Sequence, residues 1–329
     1  MAIPIGSAFA GAGATLLLVT AFGSVDLDRT PVADAGLEPE SSEASAVVNR
    51  LAPSIVAITA SDHAGLRRGS GIVVRPRGEI LTNARLVGAA TAVDVLTIDG
   101  ERVQAEVVGI DRAADVALVR IDRALVAAPV APGMAGIGQP IYAVGADRTG
   151  RATPRVSRGI ISSTDGLVST PTGPAMSGLV EIDTLADHEW AGGALVDTEG
   201  RVLGILFAPT IESRRTFALP ISFAADIAGR LRVDGNVAHG RLGVTGLDTA
   251  AGAVVWAVLD DPAAGRLAPG DIITTVAGRR VDTMAEVTAV VRRSWPSELI
   301  VIEVRRGDRT ISMRIRLGSD LAATPTPPG

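Results

Sequence analysis

The sequence predicts a mostly β protein: two barrels of about six strands each, then a smaller α+β domain, with an apolar segment in front. Three observations predict it. Short apolar runs punctuated by Gly, Asp and Arg recur from residue 44 to about 232, at the spacing of all-β barrels rather than of alternating strands and helices. From 236 to 317 that rhythm gives way to strands around one helical stretch. No charged side chain occurs from Met1 to Val25.

The N-terminal run contains ATLLLVTAF. About 20 apolar residues span a bilayer, so residues 5–24 predict one membrane helix, with 1–25 serving as a transmembrane anchor or uncleaved signal. A cleaved signal peptide is the competing reading, with ADA at 33–35 as its cleavage site, but the basic n-region is missing. The linker 26–43 carries Asp26, Asp28, Asp34, Glu38, Glu40 and Glu43 against Arg29 alone, the composition of a solvated tether. The expectation is a single-pass protein of the cell membrane with its soluble domains outside the cytoplasm.

In the first barrel the strands are SIVAITA, GSGIVV, EILTNARLV, AVDVLTI, VQAEVVGI and DVALVRI, after a short helix in SEASAVVNRLA. The second barrel is read from QPIYAVGA, SRGIIS, GLVEID, GGALVD, RVLGILF and RTFALPI. Aromatic residues make up only 3% of a chain that is 47% hydrophobic, so Val, Ile, Leu and Ala must fill the cores. All 31 basic residues are arginine, and the net charge of -5 excludes the basic excess that nucleic acid demands. Cysteine is absent, which excludes disulfides, Cys nucleophiles and Cys metal sites. No cofactor or metal is called for.

Five ordered motifs carry a resemblance: GSGIVV (69–74), ILTNARLV (80–87), DRAADVALVRI (111–121), SRGIIS (157–162) and EIDTLADHEWAGGALVDTEGRVLGI (181–205). With them, the chain from 44 to 317 resembles the HtrA family of trypsin-like serine proteases, in which a trypsin-like double β-barrel (here 44–232) precedes a PDZ domain (here 236–317). Residues 318–329 form the tail.

The departures from the family pattern bear on function. By resemblance Arg85 stands where the family has its catalytic histidine, Asp115 at the catalytic aspartate, Ala191 at the nucleophilic serine and Glu189 at the oxyanion glycine. A guanidinium stays protonated and cannot act as a general base. A methyl group cannot attack a carbonyl, and a carboxylate repels a developing oxyanion. No triad is intact, and an aspartate that only orients a histidine catalyses nothing by itself. Of the three histidines, His63, His188 and His239, only His188 is near this loop in sequence. Ser162, Ser177 and Thr184 are the conceivable substitute nucleophiles, without a recognisable base. Arg85 is expected to turn its planar fork on Asp115 and lock the interface between the barrels. Trp190 either fills an emptied substrate pocket or belongs to the core.

In the C-terminal domain, RLGV (241–244) and LAPGDIITTVAGRRV resemble PDZ motifs. PDZ domains add an extended C-terminus as a strand and capture its carboxylate with loop amides. The resemblance assigns those amides to Leu242, Gly243 and Val244, and the opposite wall to the helix 283–293 through Met284, Val287 and Val291. The pairs Arg67–Arg68, Arg279–Arg280 and Arg292–Arg293 read as solvated surface. The expected function is a membrane-anchored, proteolytically inactive HtrA-like protein. It would bind polypeptide C-termini or unfolded protein as a scaffold, regulator or chaperone-like holder in protein quality control, as a homo- or hetero-oligomer with HtrA homologues. The alternatives are an active serine endopeptidase with a non-standard catalytic set, or a regulatory subunit of an active homologue.

Overall fold

The computed structural model describes residues 40–63, 65–133, 136–147, 154–170, 173–184, 190–207, 215–259 and 262–321. The predicted membrane helix, most of the acidic linker, His188, Glu189 and most of the tail lie outside these. Among the described residues no helix is long and apolar enough to cross a membrane.

Helix α1 (Glu40–Leu51) starts two residues before the SEASAVVNRLA stretch that predicted it and leads into the first barrel. That barrel closes from β1 (Ile55–Asp62), β2 (Gly65–Arg75), β3 (Glu79–Thr82), β4 (Ala92–Leu96), β5 (Arg102–Asp111) and β6 (Val116–Arg120), in the order β1-β2-β3-β6-β5-β4. The stretch EILTNARLV does not remain extended. It breaks at Asn83 into the short helix α2 (Ala84–Val87). The second barrel closes from β7 (Pro140–Ala146), β8 (Pro154–Thr170), β9 (Gly173–Ile182), β10 (Ala194–Val196), β11 (Val202–Phe207) and β12 (Thr216–Pro220), in the order β10-β11-β12-β9-β8-β7.

Strand alternation divides the apolar residues between two layers. In β1, Val56, Ile58 and Ala60 point into the first barrel, while Ile55 joins a larger cluster outside it. That larger cluster takes Ile72, Leu81 and Leu118 from the first barrel, and Tyr142, Val144, Ile205 and Phe207 from the second. It also takes Leu51 of α1 and the face Ala224–Ile227–Leu231 of helix α3 (Ile221–Asp234). The barrels are therefore joined by a continuous apolar layer. Burial at about 25 cal/mol per Å² of apolar surface makes such a layer the main term holding them together.

The third body is a sheet of β14 (Val244–Thr249), β15 (Gly252–Val258), β16 (Ile272–Val276), β18 (Leu299–Arg306) and β19 (Arg309–Arg316), with β17 (Arg279–Arg280) paired to β16. The two-residue strands β13 (Gly240–Arg241) and β20 (Gly318–Ser319) pair with each other as a separate two-stranded sheet. Helix α4 (Met284–Arg293) begins with a capping box, in which the Thr283 hydroxyl accepts from Glu286 N–H and the Glu286 carboxylate accepts from Thr283 N–H. One face of α4 covers this sheet through Val287 and Val291, and the helix also packs on β9 of the second barrel.

His239, just before β13, ties the C-terminal domain to the first barrel. It is 2% exposed. Its Nε2 lies 2.8 Å from Asp111 Oδ2, and its Nδ1 lies 2.7 Å from the Arg292 carbonyl. The ring stacks on Trp295, which in turn meets Phe223 of α3. Burial disfavours the imidazolium, but hydrogen bonding and attraction from Asp111, the Arg292 carbonyl and Asp320 outweigh it and hold the pKa above its ordinary value. A histidine raised in the folded state gives stability that is complete below its unfolded pKa and is lost as pH rises through the folded value. His239→Gln is therefore expected to lower the melting temperature clearly at about pH 6 and much less at about pH 9. Equal losses at both, followed by scanning calorimetry, would show that the charged pair contributes nothing.

Candidate functional site

The cleft is built from the edge of each barrel. On the first barrel, Asp111 ends β5 and accepts from the N–H groups of Ala113 and Ala114 at 3.0 and 3.2 Å. This turn throws Asp115 into a left-handed conformation at φ 54°, which Asp tolerates better than most residues. The Asp115 carboxylate then faces α2. Arg85 N–H donates to Oδ1 at 2.8 Å and Arg85 Nε to Oδ2 at 2.8 Å, while Asn83 donates to the Asp115 carbonyl. The Arg85 guanidinium also lies 4.3 Å over the ring of Phe207, at the end of β11 in the second barrel.

This geometry corrects the sequence expectation in two respects. Arg85 meets Asp115 through Nε and its own backbone, not through the terminal fork, because α2 brings the backbone as close as the side chain. Both groups also belong to the first barrel, so the pair does not bridge the barrels; the contact that crosses is the one with Phe207. Asp115 is 5% exposed. Burial pushes its carboxyl up to about 6, against the pull of the Arg85 charge and hydrogen bonds. The pairing thus offsets the desolvation only in part.

On the second barrel, Trp190–Gly193 form a tight turn closed by Gly193 N–H to the Trp190 carbonyl at 2.7 Å. Leu206 fixes it from both sides, accepting from Gly192 N–H at 3.0 Å and donating to the Gly193 carbonyl at 2.8 Å. The Ala191 carbonyl accepts from Ser70 N–H of the first barrel at 2.8 Å. Gly192 has φ 83°, and a Cβ there would stand 2.2 Å from the Ser70 carbonyl oxygen, so only glycine fits. Since Leu206 precedes Phe207, the same strand that holds Ala191 also carries the ring under Arg85. Arg85, Asp115 and Ala191 therefore meet at one seam, while Glu189 lies outside the described residues.

Trp190 is not a plug in an open pocket. Its ring packs in the second barrel's interior with Ile141, Ile161 and Leu195, in space that a Cβ on Gly145 would occupy. Its indole N–H is buried and has no hydrogen-bond partner among the described residues. The substitute nucleophiles are not assembled with a base. Ser177 Oγ is buried and has no hydrogen-bond partner among the described residues, Thr184 bonds to Ser157, and Ser162 is exposed. His239 lies near Ser177, both lining one small cavity, but both of its ring nitrogens are engaged. Sequence reasoning passed over His239 and Phe207, because no local pattern marks a residue whose partner is 128 positions away. Among the described residues no group of acids and histidines could hold a metal ion.

A second concavity, of about 240 Å³, opens between the edge strand β14 and α4. Leu242, Gly243, Val244, Met284, Val287 and Val291 all line it, so the six residues predicted for peptide binding come together. The Gly243 carbonyl accepts from Leu259 N–H at 2.9 Å, which turns the loop at φ 79°. At the start of α4 the Met284 thioether lies over Gly246, and Met284 N–H is tied to Asp248.

Comparison with known proteins agrees with this architecture. Residues 69–205 match the trypsin-like peptidase domain and residues 240–317 the PDZ domain. The serine endoprotease DegS of Escherichia coli K12 is 28% identical over 82% of this chain and 84% of its own length. A relative from Halomonas elongata, named "Probable periplasmic serine endoprotease DegP-like", is 29% identical over 79% of this chain, which spans only 58% of that protein. Among solved structures, the HtrA-type protease AlgW with a tripeptide superposes with a TM-score of 0.67 at 26% identity, covering 85% of this chain and 98% of the other.

The seam yields a test of what governs Asp115. A carboxyl raised by burial stabilises the fold most when protonated, and that contribution is lost as pH rises through about 6. Asp115→Asn keeps an acceptor for Arg85 and tolerates the left-handed backbone, so it is expected to cost under about 1 kcal/mol at pH 7. Asp115→Ala loses the acceptor and strains the backbone, and should cost about 2–3 kcal/mol in urea unfolding. The margin of the parent over Asp115→Asn should narrow from about pH 4 to pH 7. Equal costs for the two variants would mean that charge pairing, not burial, sets the energy.

Proposed function

Taking as premise that this chain is an HtrA-like, trypsin-fold serine protease homologue with a C-terminal PDZ domain, we propose that it is proteolytically silent and binds polypeptide C-termini. The observation that carries the reading is the Arg85–Asp115 contact, with the Ala191 methyl group at the apex of the adjoining turn. Acyl transfer needs a nucleophile, a base that takes its proton and donors for the oxyanion. Here the carboxylate that would orient a base is already bonded to a permanent cation. The turn offers no hydroxyl, and the nearby serines and threonine have no free base.

The groove supports the binding half of the proposal. It lies at an exposed sheet edge, is walled by Val287 and Val291, and starts at the Leu242–Val244 loop, the arrangement that strand addition uses. The AlgW structure was solved with a tripeptide, which suits the same role here. We further propose extracytoplasmic domains held to a membrane by residues 5–24, acting as scaffold, regulator or holder, with HtrA homologues as oligomeric partners.

The purified chain should leave unfolded casein intact above background and remain unlabelled by a fluorophosphonate probe. Cleavage that survives repurification and vanishes on a single substitution in this chain would overturn silence. Peptides ending in a free apolar residue are expected to bind about tenfold or more tightly than their amides by fluorescence anisotropy. Equal affinities would exclude carboxylate capture at 242–244.

A further inference from the structure

A third concavity, of about 470 Å³, lies between the second barrel and the PDZ domain. One half of its lining is apolar, formed by Val130, Val180, Leu203 and Ile221. The other half brings together Arg279, beside β16, and Arg293, the last residue of α4. These two arginines do not lie free in solvent, as the sequence suggested. Arg293 stacks its guanidinium 4.3 Å from the centre of the Phe223 ring and runs against the bare backbone at Gly178, where a Cβ would come within 2.7 Å of its Nε. Arg279 forms an ion pair with Asp165 of β8. Among the described residues Arg293 has no carboxylate partner.

The lining therefore holds two guanidiniums against one carboxylate. Burial holds both guanidiniums below the ordinary arginine value, and the charge of Arg279 adds to that effect at Arg293. The first turn of α3, which contributes Ile221 and Ser222, carries no acidic residue. Two cations partly withdrawn from water, one of them without a carboxylate partner among the described residues, are stabilised by an oxyanion placed between them. The volume is in the range of sites for small organic ligands, whose pockets pair apolar walls with a few polar groups.

We propose that this cavity binds a small amphipathic oxyanion, a carboxylate or phosphate monoester on an apolar body, with its charged end at Arg293 and Arg279. Such a ligand touches barrel, interdomain connection, α3 and α4 at once, so it fastens the PDZ domain to the second barrel. The inference rests on the fold and on these residues alone, and its failure would leave the silent-cleft reading intact.

The test uses the full chain and three probes below their micelle-forming concentrations: octanoate, mono-octyl phosphate and octanol. Calorimetric titration should show saturable 1:1 binding of at least one anion, with octanol about tenfold weaker or undetectable, and the melting temperature should rise with the bound anion's concentration. Arg293→Gln should weaken the anion about tenfold. Because that variant also disturbs the interface, Ser222→Asp provides an independent check. Ser222 is exposed in the first turn of α3, where an acid favours the helix, yet a carboxylate there should weaken the anion severalfold. Failure of both anions to saturate, affinity for octanol equal to theirs, or unchanged affinity in both variants would overturn the proposal.

Discussion

The turn Trp190–Gly193 lies backbone to backbone against both barrels, and much of the cleft's construction depends on that contact. Ser70 is its anchor on the first barrel. Its N–H reaches the Ala191 carbonyl, its hydroxyl accepts from Ala146 N–H at 2.9 Å, and its carbonyl accepts from the Thr82 hydroxyl at 2.7 Å. Every one of these groups is buried and would cost free energy if left unbonded. The turn's shape therefore follows from interbarrel packing and needs no catalytic chemistry to explain it. At its apex the carbonyl of residue 191, not its side chain, is what the neighbouring barrel holds.

The same separation of scaffold from chemistry appears at Asp115. Its backbone conformation is set by the Asp111 turn and its carbonyl is held by Asn83, so the carboxylate points at α2 whatever residue 85 happens to be. An arginine there finds an acceptor on one side and an aromatic face across the seam on the other. The cation fits a place where burial would otherwise leave an anion unaccompanied. The placement of the aspartate thus follows from local geometry, although the pair itself repays only part of the desolvation.

Much of the fold was legible in the sequence, for a physical reason. Alternating short strands with Gly and Asp turns are local signals, so the two sets of β strands and helix α4 could be read directly. The break of β3 into α2 could not, because Asn83 as an N-cap without a side-chain bond gives no distinct signature. Residue placement at the site was legible only through the ordered motifs, and it ran out where contacts are non-local. Arg85 and Asp115 are 30 residues apart and could be paired on paper. His239 with Asp111, and Arg293 with Phe223, could not, because charge and aromaticity alone do not say which surface another domain will cover. The arginine pairs show this most clearly: Arg279 and Arg293 turn into the domain interface, while Arg280, the neighbour of Arg279, stays exposed.

Helix α4 is where these separate features converge. Val287 and Val291 face the peptide groove, the Arg292 carbonyl holds His239, and Arg293 reaches into the cavity against the second barrel. A helix of ten residues has few independent degrees of freedom once its start is fixed by the Thr283–Glu286 capping box. The same short helix therefore borders the groove, the His239 contact and the Arg293 stacking. These surfaces thus share one short helix, packed at once on the PDZ sheet and on β9 of the second barrel.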